Sequence, residues 1–181
     1  MVGLRDRLPT GDEKGPTMEK FHEYMDEYKA QMQKGIIPRA YRGLMAYITD
    51  LRSYFSSRYP EHTVSGSIYQ GYMDMTYFAF TPGFLKDRGL KIAIVFNHEA
   101  FRFEIWLAGF NKKVQAQYWK LFKDSGWNRY HTVPATKGVD AIIEHTLVDD
   151  PDFGSLDALT RKIEYGTLAF IRDVEAFFLD K

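Results

Sequence analysis

The chain has 181 residues, 45% of them hydrophobic and 27% charged, and its 24 basic residues balance 24 acidic ones. A chain of this length buries a core without help from disulfides or a structural metal. The absence of cysteine removes thiol nucleophiles and every cysteine-based metal site, and zero formal charge lacks the basic excess with which nucleic-acid binders hold phosphates.

Residues 1–17 mix Gly3, Gly11, Gly15, Pro9 and Pro16 with charges of both signs. They hold no apolar stretch of the kind a secretory signal needs. The composition predicts a disordered lead-in, followed by a single α+β domain over residues 18–181. The periodic pattern begins at Met18. A first helix is expected from Met18 to Lys34, capped by Thr17 and stopped by Gly35, with Phe21, Tyr24, Met25, Tyr28 and Met32 on one stripe. A second is expected from Pro38 to about Tyr59, with Tyr41, Leu44, Met45, Ile48, Leu51 and Phe55 as its apolar face. The short Gly35–Ile37 link predicts antiparallel neighbours.

The period then changes from helical to alternating. His62–Gln70 reads as a weak strand and Tyr72–Phe80 as an aromatic-rich one. Residues 81–89, with Pro82, Gly83 and Gly89, read as a connection. Leu90–His98 and Phe101–Gly109 are the clearest strands. Matching their apolar faces puts Phe96 opposite Phe103, Ile94 opposite Ile105 and Ile92 opposite Leu107. The turn then centres on Glu99 and Ala100. Neither residue favours positive φ, so a loop longer than two residues is expected.

Asn111 is expected to cap a third helix that ends near Ser125 with Gly126 as its stop, burying Val114, Tyr118, Leu121 and Phe122. Trp127–Pro134 admits a short strand, and Ala141–Val148 alternates as one, with a short helix as the competing reading. After Asp149-Asp150-Pro151-Asp152, a last helix runs from about Ser155 to Leu179 on Leu156, Leu159, Ile163, Phe170, Ile171, Val174 and Phe178. Strands grouped between helices predict an α+β fold. Its core is a largely antiparallel sheet of four to five strands covered by helices, with two N-terminal helices and a long C-terminal one.

Three stretches carry a resemblance: MEKFHEYMDEYKAQMQKG at 18–35, IAIVFNHEAFRFEIWLAGFNKKVQAQYW at 92–119 and DDPDFGSLDALTRKIEYGTLAFIRDVEAFF at 149–178. The chain resembles an uncharacterised bacterial family carried only as a domain of unknown function. The resemblance spans nearly everything after Met18 and implies a bacterial, cytoplasmic origin. It implies no activity, ligand or catalytic residue.

The chemical motifs are sparse. His22, His62, His98, His131 and His145 form no i, i+4 pair and no HExxH string, so no metal site and no cofactor is expected. There is no Gly-x-Ser-x-Gly elbow and no Gly-rich phosphate loop. A metal-dependent nuclease would need carboxylates such as Asp74 and Glu104 on neighbouring strands, with a lysine two residues beyond the second. Trp106 stands in that place, leaving Lys91 on the neighbouring strand as a substitute.

The second face of the strand pair is the strongest signal. The register puts Asn97 near Arg102, Val95 near Glu104 and Ala93 near Trp106. A solvated face seldom carries a tryptophan, and a buried one does not leave Arg102 and Glu104 unpaired. Asn97, Arg102, Glu104 and Trp106 are therefore the candidate ligand-binding residues. An ion pair between Arg102 and Glu104 under ordinary packing is the competing reading. Asn111, Lys112 and Lys113 form a second candidate, an anion site where lysines meet the free N–H groups of a helix start.

The sequence thus points to a cytoplasmic, non-catalytic binding or regulatory domain whose partner is a small molecule or a protein. Nucleic acid and membrane are not expected as partners. A metal-dependent hydrolase or nuclease is the first alternative. An interaction protein that self-associates through an aromatic surface is the second.

Overall fold

The computed structural model describes residues 18–134 and 141–180. The lead-in at 1–17 and the Thr17 cap lie outside the described residues. By contact the chain divides into two units, Met1–Asp50 and Leu51–Lys181.

The first unit holds α1, Met18–Lys34, and the start of α2, Ile36–Arg58. Gly35 alone separates them, at φ 70°, a conformation that costs glycine little. The Gly35 N–H donates to Met32 O, closing α1. The helix α2 begins two residues before the expected Pro38. Proline is still tolerated there, because first-turn N–H groups have no partner within the helix.

The second unit is a sheet packed against helices. Its strands are β1 (Thr63–Val64), β2 (Tyr69–Gln70), β3 (Met75–Thr81), β4 (Leu90–Asn97), β5 (Arg102–Gly109), β6 (His131–Thr132) and β7 (Ile143–Val148). All pairs are antiparallel, in the order β1-β3-β4-β5-β7-β6, with β2 also on β3. Among the described residues the sheet counts seven strands where four to five were expected, because three of them have only two residues. The expected strand 62–70 is two such pieces. Between them Ser65 turns the chain, its Oγ donating to Ser67 O at 2.9 Å and accepting from Ala79 N at 3.0 Å. The connection after β3 holds a single turn of helix, α3 (Gly83–Lys86).

The β4–β5 register is the one that the apolar faces predict, and it runs from Leu90 opposite Gly109 to Asn97 opposite Arg102. Four residues, 98–101, make the turn. Asn97 Oδ1 accepts from Ala100 N at 3.0 Å. Phe101 closes the turn at φ 51° and so leaves the strand it was expected to open.

Phe78, Ile94 and Ile105 form one row across the sheet. On this face Phe55 of α2 meets Phe78 and Phe80. The helices α4 (Lys112–Asp124) and α5 (Leu156–Leu179) pack against β5 and β7 on the sheet. Phe122 of α4 stacks on Phe177 of α5 at 4.3 Å between ring centroids. Two expectations for the helices need correcting. Leu156 is exposed, because it opens α5 in the first turn. Phe177 takes the buried place expected of Phe178, which is half-buried beside it. In α4 only Phe122 of the expected stripe is fully buried.

Asn111 caps α4 as expected, its Oδ1 accepting from Val114 N at 3.0 Å. Gly126 follows that helix at φ 69°. Among the described residues, no helix is long and apolar enough to cross a membrane.

Candidate functional site

The face of β5 away from Ile105 carries Arg102, Glu104 and Trp106. Pairing extends it into two rows across the sheet. One runs Tyr77, Val95, Glu104, Thr146, and the other runs Ala93, Trp106, Glu144, His131. The β5–β7 register shifts between Phe103 and Glu104, leaving Leu147 without an opposite residue. Such a bulge bends a strand and re-aims its side chains. Here it keeps Thr146 beside Glu104 while Val148 stays opposite Phe103.

Glu104 is 3% exposed. A buried carboxylate is tolerated only when its oxygens are bonded, and three donors meet these. Arg102 Nε donates to Oε1 at 2.7 Å, Asn97 Nδ2 to the same oxygen at 3.2 Å, and Trp106 Nε1 to Oε2 at 2.7 Å. The Glu104 hydrogen bond holds the Arg102 guanidinium above its ordinary pKa, against the opposing effect of burial. The charges of Asp149 and Glu144 add to the rise.

Arg102 and Glu104 stand at one wall of an open groove of about 720 Å³. Glu144, His145 and Thr146 of β7 continue that wall. The segment Trp127–Thr132, which ends as β6, supplies the other. This segment is pinned to α5: Arg129 Nε and Tyr130 Oη both donate to Asp173 Oδ2, each at 2.6 Å. The Tyr130 ring lies between His145 and Phe170, with centroids 4.7 and 4.8 Å away. Burial, then the bond to Asp173, pushes its phenol up to about 12. Burial also lowers the pKa of His145. His131 Nε2 stands 3.9 Å from Glu144 Oε1.

The structure treats the candidate residues differently. Arg102 and Glu104 border the groove. Trp106 is 3% exposed and points its indole N–H at Glu104, outside the lining. Asn97 joins the Glu104 cluster from β4 and also ties the turn. The ion pair read as the competing explanation of this face is therefore present, and the groove lies beside it.

The second candidate has different geometry. The Asn111 side chain already takes the Val114 N–H, and Lys112 and Lys113 are exposed. For the nuclease alternative, Lys91 pairs with Ala108, four residues along β5 from Glu104. That is roughly 13 Å at strand spacing. Asp74 Oδ1 accepts from Met75 N at 2.6 Å, just before β3 begins. Among the described residues, no group of three or more His, Asp or Glu is placed to hold a metal.

Sequence reasoning missed Trp127, Arg129, Tyr130, His131, Glu144, His145 and Thr146. The available signal was the polar alternation of Glu144 and Thr146. It placed both on one face of a strand without saying which neighbour that strand would find.

A model of the family described as a domain of unknown function, DUF7000, matches residues 21–178. The chain belongs to this family. No curated protein and no solved structure matches the chain. The family span takes in all of β1–β7, and with them both walls of the groove.

Proposed function

We propose that this DUF7000 member is a non-catalytic, cytoplasmic binding domain whose groove beside β5 and β7 takes a small polar ligand. The observation that carries the reading is the lining of the groove. Arg102, Arg129, Glu104 and Glu144 all line it, two cations and two carboxylates, with Arg102 bonded to Glu104 and Arg129 to Asp173. His131, His145, Thr132 and Thr146 add donors and acceptors, and Trp127 adds an aromatic surface. A balanced, hydrogen-bonding lining suits a zwitterionic or neutral polar molecule better than a polyanion, which would meet the two glutamates. The volume falls within the range of roughly 300–1,000 Å³ that small-molecule sites occupy. The cytoplasmic setting rests on the cysteine-free sequence.

The test is a thermal-shift screen against amino acids, nucleosides and sugars. A ligand at about 100 times its Kd adds roughly 2.7 kcal/mol of stability. His131→Ala and Glu144→Ala run alongside, since both side chains are partly open to solvent and their removal spares the core. A shift in the wild type that both variants lose is the expected result. Silence across the screen, or a shift that both variants keep, overturns the reading.

A further inference from the structure

The groove leaves unexplained the largest apolar feature of the other unit. On α1, Phe21, Tyr24, Met25, Tyr28 and Met32 recur at helical spacing and fall within a stripe roughly 100° wide. A stripe of that pattern ordinarily faces a core. Here the five side chains are 51, 56, 45, 54 and 37% exposed. We propose that this stripe is the contact surface for a second copy of the chain, joined through antiparallel pairing of the two α1 helices about a two-fold axis.

Two observations choose that occupant. The first is area. Taking 150–250 Å² for each of the three aromatic side chains and a similar area for each methionine, the exposed fractions amount to roughly 500 Å² per copy. Two copies then bury about 1,000 Å², the lower bound for a specific interface. The flanking His22, Lys29 and Gln31 add to this. An isologous contact needs a patch complementary to itself, and this one is. The middle of the stripe falls between residues 26 and 27. Antiparallel pairing about that point sets Phe21 against the other copy's Met32, and Met25 against its Tyr28. Each contact joins an aromatic ring to a thioether, a favourable combination.

The second observation is charge. In residues 18–27, Glu19, Glu23, Asp26 and Glu27 outnumber Lys20. Residues 28–34 carry Lys29 and Lys34 and no acid, and Arg39 and Arg42 follow in α2. Antiparallel pairing lays the acidic half of one helix along the basic half of the other, and opposes the helix dipoles as well. Parallel pairing would set acid on acid.

Sedimentation equilibrium of the full chain tests the surface, with Met25→Glu/Tyr28→Glu as the probe. Both positions are exposed, so the variant retains its fold, which circular dichroism checks. A wild-type dimer that this variant turns into a monomer is the expected result. A monomeric wild type at the highest attainable concentration, or a dimer that survives the double substitution, overturns the proposal. The orientation has its own test, because the chain contains no cysteine. Phe21→Cys and Met32→Cys proteins, one carrying a mass tag, are mixed and oxidised. Antiparallel pairing gives a disulfide between the two different variants. Cross-links between like variants alone overturn it.

Discussion

Trp106 Nε1 donates to Glu104 Oε2 at 2.7 Å, two residues apart on one face of β5. Arg102 and Asn97 hold the other carboxylate oxygen. A large ring, a cation and a carboxylate thus share a face that is neither fully wet nor fully dry. The tryptophan supplies apolar bulk and spends its one polar atom on the buried charge. Glu104→Gln keeps the shape but replaces an acceptor oxygen with an NH₂ facing donors. The expected cost is about 1–3 kcal/mol, that of leaving buried polar groups mismatched. Urea denaturation at neutral pH measures it. An unchanged midpoint would show that the cluster does not hold this face together.

How much of this was legible in the sequence depended on the range of the contacts. The pairing of Phe96 with Phe103 followed from period-two apolar faces on adjacent strands. Arg102 and Glu104 followed from the same register, because the chain itself brings them together. The groove needed more. Its second wall comes from Trp127–Thr132, a segment held by Asp173 on the last helix, 43 residues further from Tyr130 in the chain. No local pattern encodes that bond. β6 lies within Trp127–Pro134, where the sequence admitted a short strand, but two residues cannot show alternation, and only its pairing with Ile143 and Glu144 bounds it. Trp106 was legible as unusual but not in its role, since a tryptophan lining a pocket and one bonded beneath it look alike in sequence.

The Asp173 clamp gives the second prediction. Tyr130→Phe removes one of its two donors and leaves the ring in place between His145 and Phe170. The lost bond runs to a charged acceptor, for which about 1.5–3 kcal/mol is the usual scale. The loss is felt first where the segment opens locally. Amide exchange at Asn128–Thr132 should quicken in the variant while that of β4 and β5 stays slow. Equal protection in both proteins would mean that packing alone holds this wall.

Acid sensitivity follows from two histidines. Burial lowers the pKa of His98, with the Asp74 charge opposing, and burial lowers that of His145. Below the ordinary value of 6.5 the unfolded chain takes up protons that the folded chain still refuses. The unfolded state then binds more protons, so stability falls as pH drops through 6.5 toward the folded values. The melting temperature should decline from pH 7 to pH 5, and less so in His98→Gln/His145→Gln. A double variant with the wild-type slope would assign the decline elsewhere.

A lower acid limb belongs to Glu164 on α5. Tyr54, Tyr59 and Arg58 all donate to it, Tyr54 at 3.0 Å and Arg58 Nε at 2.7 Å. Burial pushes this carboxyl up, but the bonds from Tyr59 and Tyr54 and the Arg58 charge outweigh it, so its pKa lies below the ordinary 4.5. Its contribution is present above that value and is lost as pH falls through the folded pKa. Glu164→Gln should therefore lower stability at pH 7 and narrow its gap from the wild type near pH 3. A constant gap across that range would remove the charge from the explanation.

Gly109 tests how closely the sheet meets its helix. A Cβ at this position would stand 2.5 Å from Gln115 N, 2.9 Å from Gln115 Cα and 3.0 Å from Asn111 O. All three are backbone atoms of the turn that opens α4, and they are held there. Asn111 caps the helix, and Gln115 Oε1 accepts the Gly109 N–H at 2.6 Å. No rotamer change relieves the clash, so α4 must move off β5 or the strand end must bend. Gly109→Ala should cost at least the 1–3 kcal/mol typical of overpacking. Gly126→Ala, past the far end of α4, differs in kind, since nothing lies within 4 Å of its Cβ and its penalty comes from φ 69° alone. Denaturation of the two variants side by side separates the causes. Gly109→Ala is expected to lose more, and to lose the slow amide exchange of the first turn of α4, which Gly126→Ala keeps. A Gly109→Ala protein as stable as the wild type would mean that the strand–helix junction is looser than this geometry requires.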